Sequence, residues 1–121
     1  MNVLIWAGVV IIGGTGSVLR FMVDRAVAGR VGRALPFGTL TVNITGSAVL
    51  GLVTGLALDH DAALLAGTAA VGSYTTFSTW MLESQRLGEE RQTGIAAANI
   101  VVSVVLGVAA VMLGQTIGAR L

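Results

Sequence analysis

The sequence predicts an all-α membrane protein with four transmembrane helices. Of its 121 residues, 11% are charged and 55% are apolar, and its mean hydropathy is +0.87, whereas a soluble domain has about 25% charged residues. Cutting the chain at its charges leaves four uncharged runs, each near or above the roughly 20 residues that span a bilayer. The runs are residues 1–19, 34–58, 62–82 and 92–119.

The four spans are expected at residues 3–23, 37–58, 62–82 and 94–117. Together with short connections they use nearly the whole chain, so the sequence predicts a single four-helix transmembrane domain.

The first span contains a single arginine, Arg20, near its end. It has no basic stretch at its start and no small-residue cleavage signal, so it is expected to stay in the mature chain rather than act as a signal peptide. Gly13, Gly14 and Gly16 favour close approach of a neighbouring helix. Arg20 is either an anchor that reaches the bilayer surface or a positive charge that attracts anions to a vestibule.

The second span carries a polar stripe. Thr39, Asn43 and Ser47 recur every four residues and therefore share one helix face. A lone hydroxyl can bond back to its own helix, but an amide has more hydrogen-bonding sites than its helix can satisfy. Asn43 is therefore expected either to join two helices or to face a pathway. Gly51 and Gly55 have the GxxxG spacing of closely packed helices.

The third span is the least regular, because residues 72–80 combine a glycine, a β-branched pair and several hydroxyls. This composition favours a helix that is interrupted at mid-membrane, with a continuous helix as the alternative. An interruption frees backbone carbonyls, which in lipid need a cation, water or a second chain. Phe77 and Trp80 follow at a spacing of three. Aromatic edges can contact a small anion, although ordinary core packing gives the same pattern.

The fourth span repeats the polar spacing with Asn99 and Ser103, and Gly107 follows one turn later. Gly114 and Gly118 form a second GxxxG pair. Since lipid offers no hydrophobic drive between helices, close packing in so small a chain suggests an oligomer.

The arginines are unevenly distributed. Six of them follow odd-numbered spans and therefore share one side of the membrane: Arg20, Arg25, Arg30, Arg33, Arg86 and Arg91. Arg120 falls on the other side, with Asp59 and Asp61. The positive-inside rule places both arginine-bearing loops in the cytoplasm and both termini outside.

Several function classes are excluded by what the sequence lacks. There is no cysteine for disulfides or thiol chemistry, and no Asp, Glu or His well inside a span to relay protons. No carboxylate pair, histidine cluster or phosphate-binding loop indicates catalysis, so an enzyme is not expected, nor is a nucleic-acid partner.

Three motifs, in order along the chain, resemble the small bacterial fluoride channels of the Fluc/CrcB family. They are Gly13-Gly14-x-Gly16-x-x-x-Arg20-Phe21, Pro36-Phe37-Gly38-Thr39-Leu40-x-Val42-Asn43-x-x-Gly46 and Gly72-x-x-Thr75-Thr76-Phe77-Ser78-Thr79. The resemblance covers essentially the whole chain. It implies a passive fluoride channel in the plasma membrane that relieves fluoride toxicity, assembled as an antiparallel dimer whose two pores are each lined by both subunits.

The resemblance also implies site residues. A structural Na⁺ at the dimer centre would be held by the backbone carbonyls of Gly72 and Thr75 from both chains. Arg20 would serve the vestibule or the fold. Together with the polar stripes, the expected fluoride pathway comprises Asn43, Phe77, Ser78, Thr79, Trp80, Thr39, Asn99 and Ser103. Fluoride is strongly hydrated, so a pathway must supply donors such as these hydroxyls and amides to offset its dehydration.

Two features depart from the family pattern. Trp80 stands where the second aromatic is usually Phe, which would reshape one fluoride contact. The arginine bias favours one orientation, which is similar to the branch in which an oppositely oriented paralogue is the partner. A homodimer remains open.

Two other functions fit a chain of this kind. A small four-span multidrug exporter depends on a carboxylate within its first span, and none is present here. A non-transporting membrane scaffold accounts for Gly51 and Gly55 but leaves the polar stripes unexplained.

Overall fold

The computed structural model describes residues 2–121, and all regular structure in that range is helical. The helices are α1 (Val3–Val31), α2 (Phe37–Leu56), α3 (His60–Ala63), α4 (Gly72–Tyr74), α5 (Ser78–Glu89) and α6 (Thr93–Ala119), with a π-helical segment, Leu64–Val71, between α3 and α4. Three of these helices, α1, α2 and α6, are long and apolar enough to cross a membrane. The all-α prediction is thus confirmed, whereas the third expected span is divided into shorter pieces.

Helix α1 is longer than the sequence predicts. The Asn2 side chain caps its start by accepting the Ile5 N–H at 3.0 Å. The helix continues eight residues past the expected boundary at residue 23 and ends at Gly32, whose φ of 79° suits glycine. At 1.5 Å per residue its 29 residues extend about 43 Å, more than the hydrocarbon core. The predicted connection at residues 24–36 is therefore mostly helix.

Helices α2 and α6 run parallel and pack through their glycines. A side-chain carbon at Gly51 would collide with the backbone of Val111, and one at Gly114 would collide with the backbone of Ala48. Gly55 and Gly118 lie equally close to the opposing main chain, one turn further along. The close packing predicted from both GxxxG pairs is confirmed. Because the pairs pack against each other within one chain, they give no support to an oligomer.

We expect Gly114→Ala to destabilise the protein, since the added carbon would meet backbone atoms that cannot rotate away. Overpacking of this kind costs about 1–3 kcal/mol or more. Gly94→Ala on the same helix is the matched control, because nothing lies within 4 Å of its added carbon. Thermal unfolding in detergent measures both variants, and equal unfolding temperatures would contradict this account of the α2–α6 contact.

The chain between His60 and Glu89 forms a broken unit beside α1. Gly8 of α1 faces Leu65, and Gly16 faces Ser73, so α1 and the first part of this unit run in the same direction. The helix stops at Thr75, which is extended with a ψ of 162°, and resumes at Ser78. The predicted interruption is confirmed and the continuous helix is wrong, but Gly72 itself stays helical and the break begins three residues later.

The arginine-bearing segments meet at one end of the molecule. Arg86 Nη2 donates to the Arg33 carbonyl at 3.4 Å, and Arg33 pairs with Asp24 at 3.2 Å. Both contacts are exposed and contribute little stability. They place the two predicted loops on the same side of the helices.

Large apolar side chains lie mainly on the outer surface. Val10 is 73% exposed and Met112 is 62% exposed, whereas Leu87 and Val42 are the largest fully buried side chains. An apolar exterior of this extent needs lipid or a partner subunit to cover it.

Candidate functional site

The site is built around the break, because backbone groups there lose their helical partners. Asn43 of α2 satisfies two of them. Its Oδ1 accepts the Thr76 N–H, and its Nδ2 donates to the Thr76 carbonyl, each at 2.8 Å. This paired contact clamps the break against α2, so the predicted role of Asn43 in joining two helices is observed. An amide nitrogen carries two hydrogens, so one N–H of Asn43 remains for another acceptor.

Arg20 satisfies a third backbone group. Its Nη1 donates to the Thr75 carbonyl at 3.2 Å in a partly buried contact. Arg20 therefore ties α1 to the break, a contact that the sequence reasoning did not foresee. The position of Arg20 on the glycine-rich face of α1 indicates that it faces another helix. The spacing of residues does not reveal which group accepts its hydrogen bond. The arginine also lines a cavity together with Ser17 and Asp24.

A groove of about 510 Å³ lies between α2, the break and α6. Four of the predicted pathway residues meet there: Asn43, Phe77, Trp80 and Ser103. Ser47 of the α2 stripe and Gly107 of α6 also line this groove. The Ser103 hydroxyl is buried and has no hydrogen-bond partner within residues 2–121. An unused hydroxyl in an otherwise apolar groove is a free donor for a ligand.

A second cavity of about 230 Å³ lies nearer the arginine end, between α1, the start of α2 and the break. It contains two further hydroxyl residues of the predicted pathway, Thr39 and Thr79, beside Arg20. Along α2, Thr39 lines this smaller cavity and Asn43, one turn later, lines the larger groove. The two spaces therefore follow each other along the helix direction. Thr76 lines both of them, although the sequence reasoning gave it no role.

Two predicted pathway residues line neither space. Ser78 is exposed at the start of α5. Asn99 is buried, and its Nδ2 donates to the Ser84 hydroxyl at 2.8 Å, which fastens α6 to α5. Trp80 takes part in the same network, because its indole N–H donates to the Asn99 carbonyl at 3.4 Å. A role for Ser78 or Asn99 in the pathway stays a prediction.

The two aromatic side chains form an edge-to-face pair. The ring centroids of Phe77 and Trp80 are 5.7 Å apart at an interplanar angle of 80°. One ring edge is thus directed at the other ring. Phe77 is 70% exposed, so the surface of the chain at the break presents an aromatic side chain that the described residues do not cover.

The residues predicted to hold Na⁺ lie together. Gly72 and Thr75 both line a third cavity, of about 500 Å³. The Thr76 N–H, which would cap the Gly72 carbonyl in a continuous helix, is taken by Asn43, so that carbonyl receives no backbone hydrogen bond in the described chain. The Thr75 carbonyl already accepts from Arg20 but has a second lone pair. Residues 2–121 contain no cluster of acidic or histidine side chains that could hold a metal.

The comparison with a family model and the comparison with individual proteins agree with each other. Residues 7–115 match the CrcB-like protein family, also described as Camphor Resistance (CrcB). The chain is 70% identical to the fluoride-specific ion channel FluC 2 of Mycobacterium tuberculosis strain H37Rv, over 97% of this chain and 93% of the relative. It is 46% identical to FluC 1 of Nocardia farcinica over 84% and 72% of the two chains. It is 39% identical to FluC of Methylococcus capsulatus, covering 100% of this chain and 55% of that relative.

Proposed function

The chain belongs to the CrcB-like protein family, and we propose from this premise that it forms a fluoride-specific ion channel that exports fluoride passively across the plasma membrane and so relieves fluoride toxicity. It is a multi-pass membrane protein and a channel rather than an enzyme. The observation that carries the proposal is the succession of two cavities along α2, which share the lining residue Thr76 at the clamped break.

The donors along this route suit a small, strongly hydrated anion. Fluoride loses water on entering a narrow passage, and protein donors must replace it. Arg20 supplies positive charge at the smaller cavity, Asn43 has an unused N–H, and Ser103 has an unpartnered hydroxyl in the larger groove. Apolar walls between these donors keep the dielectric low, which strengthens each contact with the anion.

The proposed functional unit is an antiparallel dimer of subunits that each cross the bilayer four times. Residues 60–89 supply the third crossing as a broken unit, and the direction in which this unit runs beside α1 supports that topology. Exposed Phe77 and the apolar exterior leave room for a second subunit to complete each pore. The partner is either a second copy or an oppositely oriented paralogue, and the names FluC 1 and FluC 2 among relatives fit the paralogue.

A structural Na⁺ at the dimer centre is part of the proposal. The Gly72 and Thr75 carbonyls of both chains would hold it, and the partnerless Gly72 carbonyl supports this assignment. When bound, the ion neutralises the partial charges of carbonyls freed by the break. This chain's own residues position those carbonyls, since Asn43 clamps Thr76 and Arg20 holds Thr75.

Flux from purified protein in liposomes tests the function. We expect fluoride to leave down its own gradient without a proton gradient, and chloride to be retained. Efflux that requires a proton gradient would favour an exporter, and no flux from folded protein would favour a scaffold.

The arginine bias predicts that the connection around Ala34 is cytoplasmic and that the C-terminus is outside. The chain has no cysteine, so Ala34→Cys and Leu121→Cys, both at exposed positions, each provide a single label site. A membrane-impermeant maleimide added to intact cells should label Leu121→Cys alone. Equal labelling of the two variants would show dual topology, favour a homodimer and remove the argument for a paralogue.

A further inference from the structure

Thr76 is the residue that lines both the smaller cavity and the larger groove, so an ion that moves between them would pass this residue. Both of its backbone polar groups are held by Asn43. Its position at the junction is therefore fixed from α2 and does not depend on the regular helix, which is absent at this point.

The Thr76 hydroxyl is also oriented. Its Oγ1 accepts the Thr79 N–H at 3.2 Å, which caps the start of α5. A hydroxyl that accepts a hydrogen bond still has its own proton to donate. No acceptor for that proton is present within the described part of the chain. The unused N–H of Asn43 belongs to the side chain that clamps the same residue.

We propose that the Thr76 hydroxyl and the second N–H of Asn43 form a paired donor station that binds the fluoride ion at the junction of the two cavities. The inference rests on the proposed channel function and deepens it by naming the residue at the passage. A dehydrated fluoride has no directional preference, so two donors held on one fixed frame can replace two of its waters.

The test compares Thr76→Val, Thr76→Ser and Thr76→Cys with the unmodified protein in planar bilayers. Valine keeps the shape but has neither donor nor acceptor, serine keeps both, and a thiol is a weak donor and acceptor. We expect the unitary fluoride current to fall about 10-fold or more in Thr76→Val, because a hydrogen bond to an ion is lost. Serine should stay within about twofold of the unmodified current, and cysteine should fall between the two.

The unitary current separates this role from a merely structural one, since a loosened α5 cap would reduce the number of conducting dimers and leave the current of each unchanged. Thr116→Val is the matched control. Its hydroxyl bonds back to Met112 on the exposed side of α6, and it should carry the unmodified current.

An unmodified unitary current in Thr76→Val, or a serine variant as slow as the valine variant, would overturn the donor station. If the valine variant does not assemble, an unmodified current in Thr76→Cys overturns it instead. These outcomes leave the proposed function intact, because that function fails instead if the unmodified protein passes no fluoride or passes it only with a proton gradient.

Discussion

Replacing Asn43 by aspartate is expected to reduce fluoride flux by about 100-fold or more. The substitution removes both amide N–H groups, one that holds the Thr76 carbonyl and one that is free for the ion. It also places a carboxylate oxygen against that carbonyl and a negative charge in the groove. The polar stripe on α2 by itself predicts that Asn43→Asp blocks fluoride flux and leaves the protein assembled. Because Asn43 also holds the backbone of Thr76, we expect this variant to loosen the break as well.

Ser47→Asp is the matched control for Asn43→Asp, because it adds the same charge one turn away in the same groove without touching the clamp. Flux and thermal unfolding of the protein are measured for both. Flux should fall in both variants, whereas the unfolding temperature should fall further in Asn43→Asp, because only this variant loses the clamp. Normal flux in Asn43→Asp would contradict the proposed pathway, and equal unfolding temperatures would contradict the importance of the clamp.

Exchanging Na⁺ for a large organic cation is expected to weaken the dimer and stop flux together. Each uncompensated carbonyl in a dry interior costs several kcal/mol, about 2–7 by transfer data. The proposed ligands are backbone atoms, so Thr75→Val should be mild, since the Thr75 hydroxyl bonds only to the Val71 carbonyl of its own helix. Dimer stability in detergent and liposome flux are the two readouts.

Unchanged stability and flux after exhaustive cation exchange would remove the metal site. A loss confined to flux would place the cation effect in the pathway rather than at the dimer centre. Arg20→Gln adds a check, because it keeps a donor for the Thr75 carbonyl but removes the positive charge beside the proposed ion. We expect the variant to retain its dimer at lower Na⁺ concentrations than the unmodified protein.

Much of the architecture could be predicted from local composition. Long uncharged runs predict α1, α2 and α6, and GxxxG spacing predicts the α2–α6 contact. The interruption after Gly72 follows from poor helix formers in hydrocarbon, although its position does not, because Asn43 decides which peptide is released. The π-helical segment Leu64–Val71 was not predicted, because its side chains are of types that α-helices also contain.

Residue spacing predicted only part of the candidate site. Period-four spacing finds residues on one face, so Asn43 and Ser103 were found. Spacing does not distinguish Ser103, whose hydroxyl is unpartnered, from Asn99, whose amide binds Ser84. Thr76 was not predicted as a site residue. Its backbone contacts with Asn43 and its position between the two cavities appear only in the three-dimensional structure.

The glycine contact between α2 and α6 also determines where the molecule can deform. Main chains that touch cannot slide past one another without overlap, so this pair moves as one stiff body. The segment His60–Glu89 is not helical between Tyr74 and Ser78, where the side chains of Asn43 and Arg20 hold it. A bilayer that is thicker or thinner than the protein will therefore concentrate its strain at the break. Lipid thickness would then act on the residues that line the proposed passage.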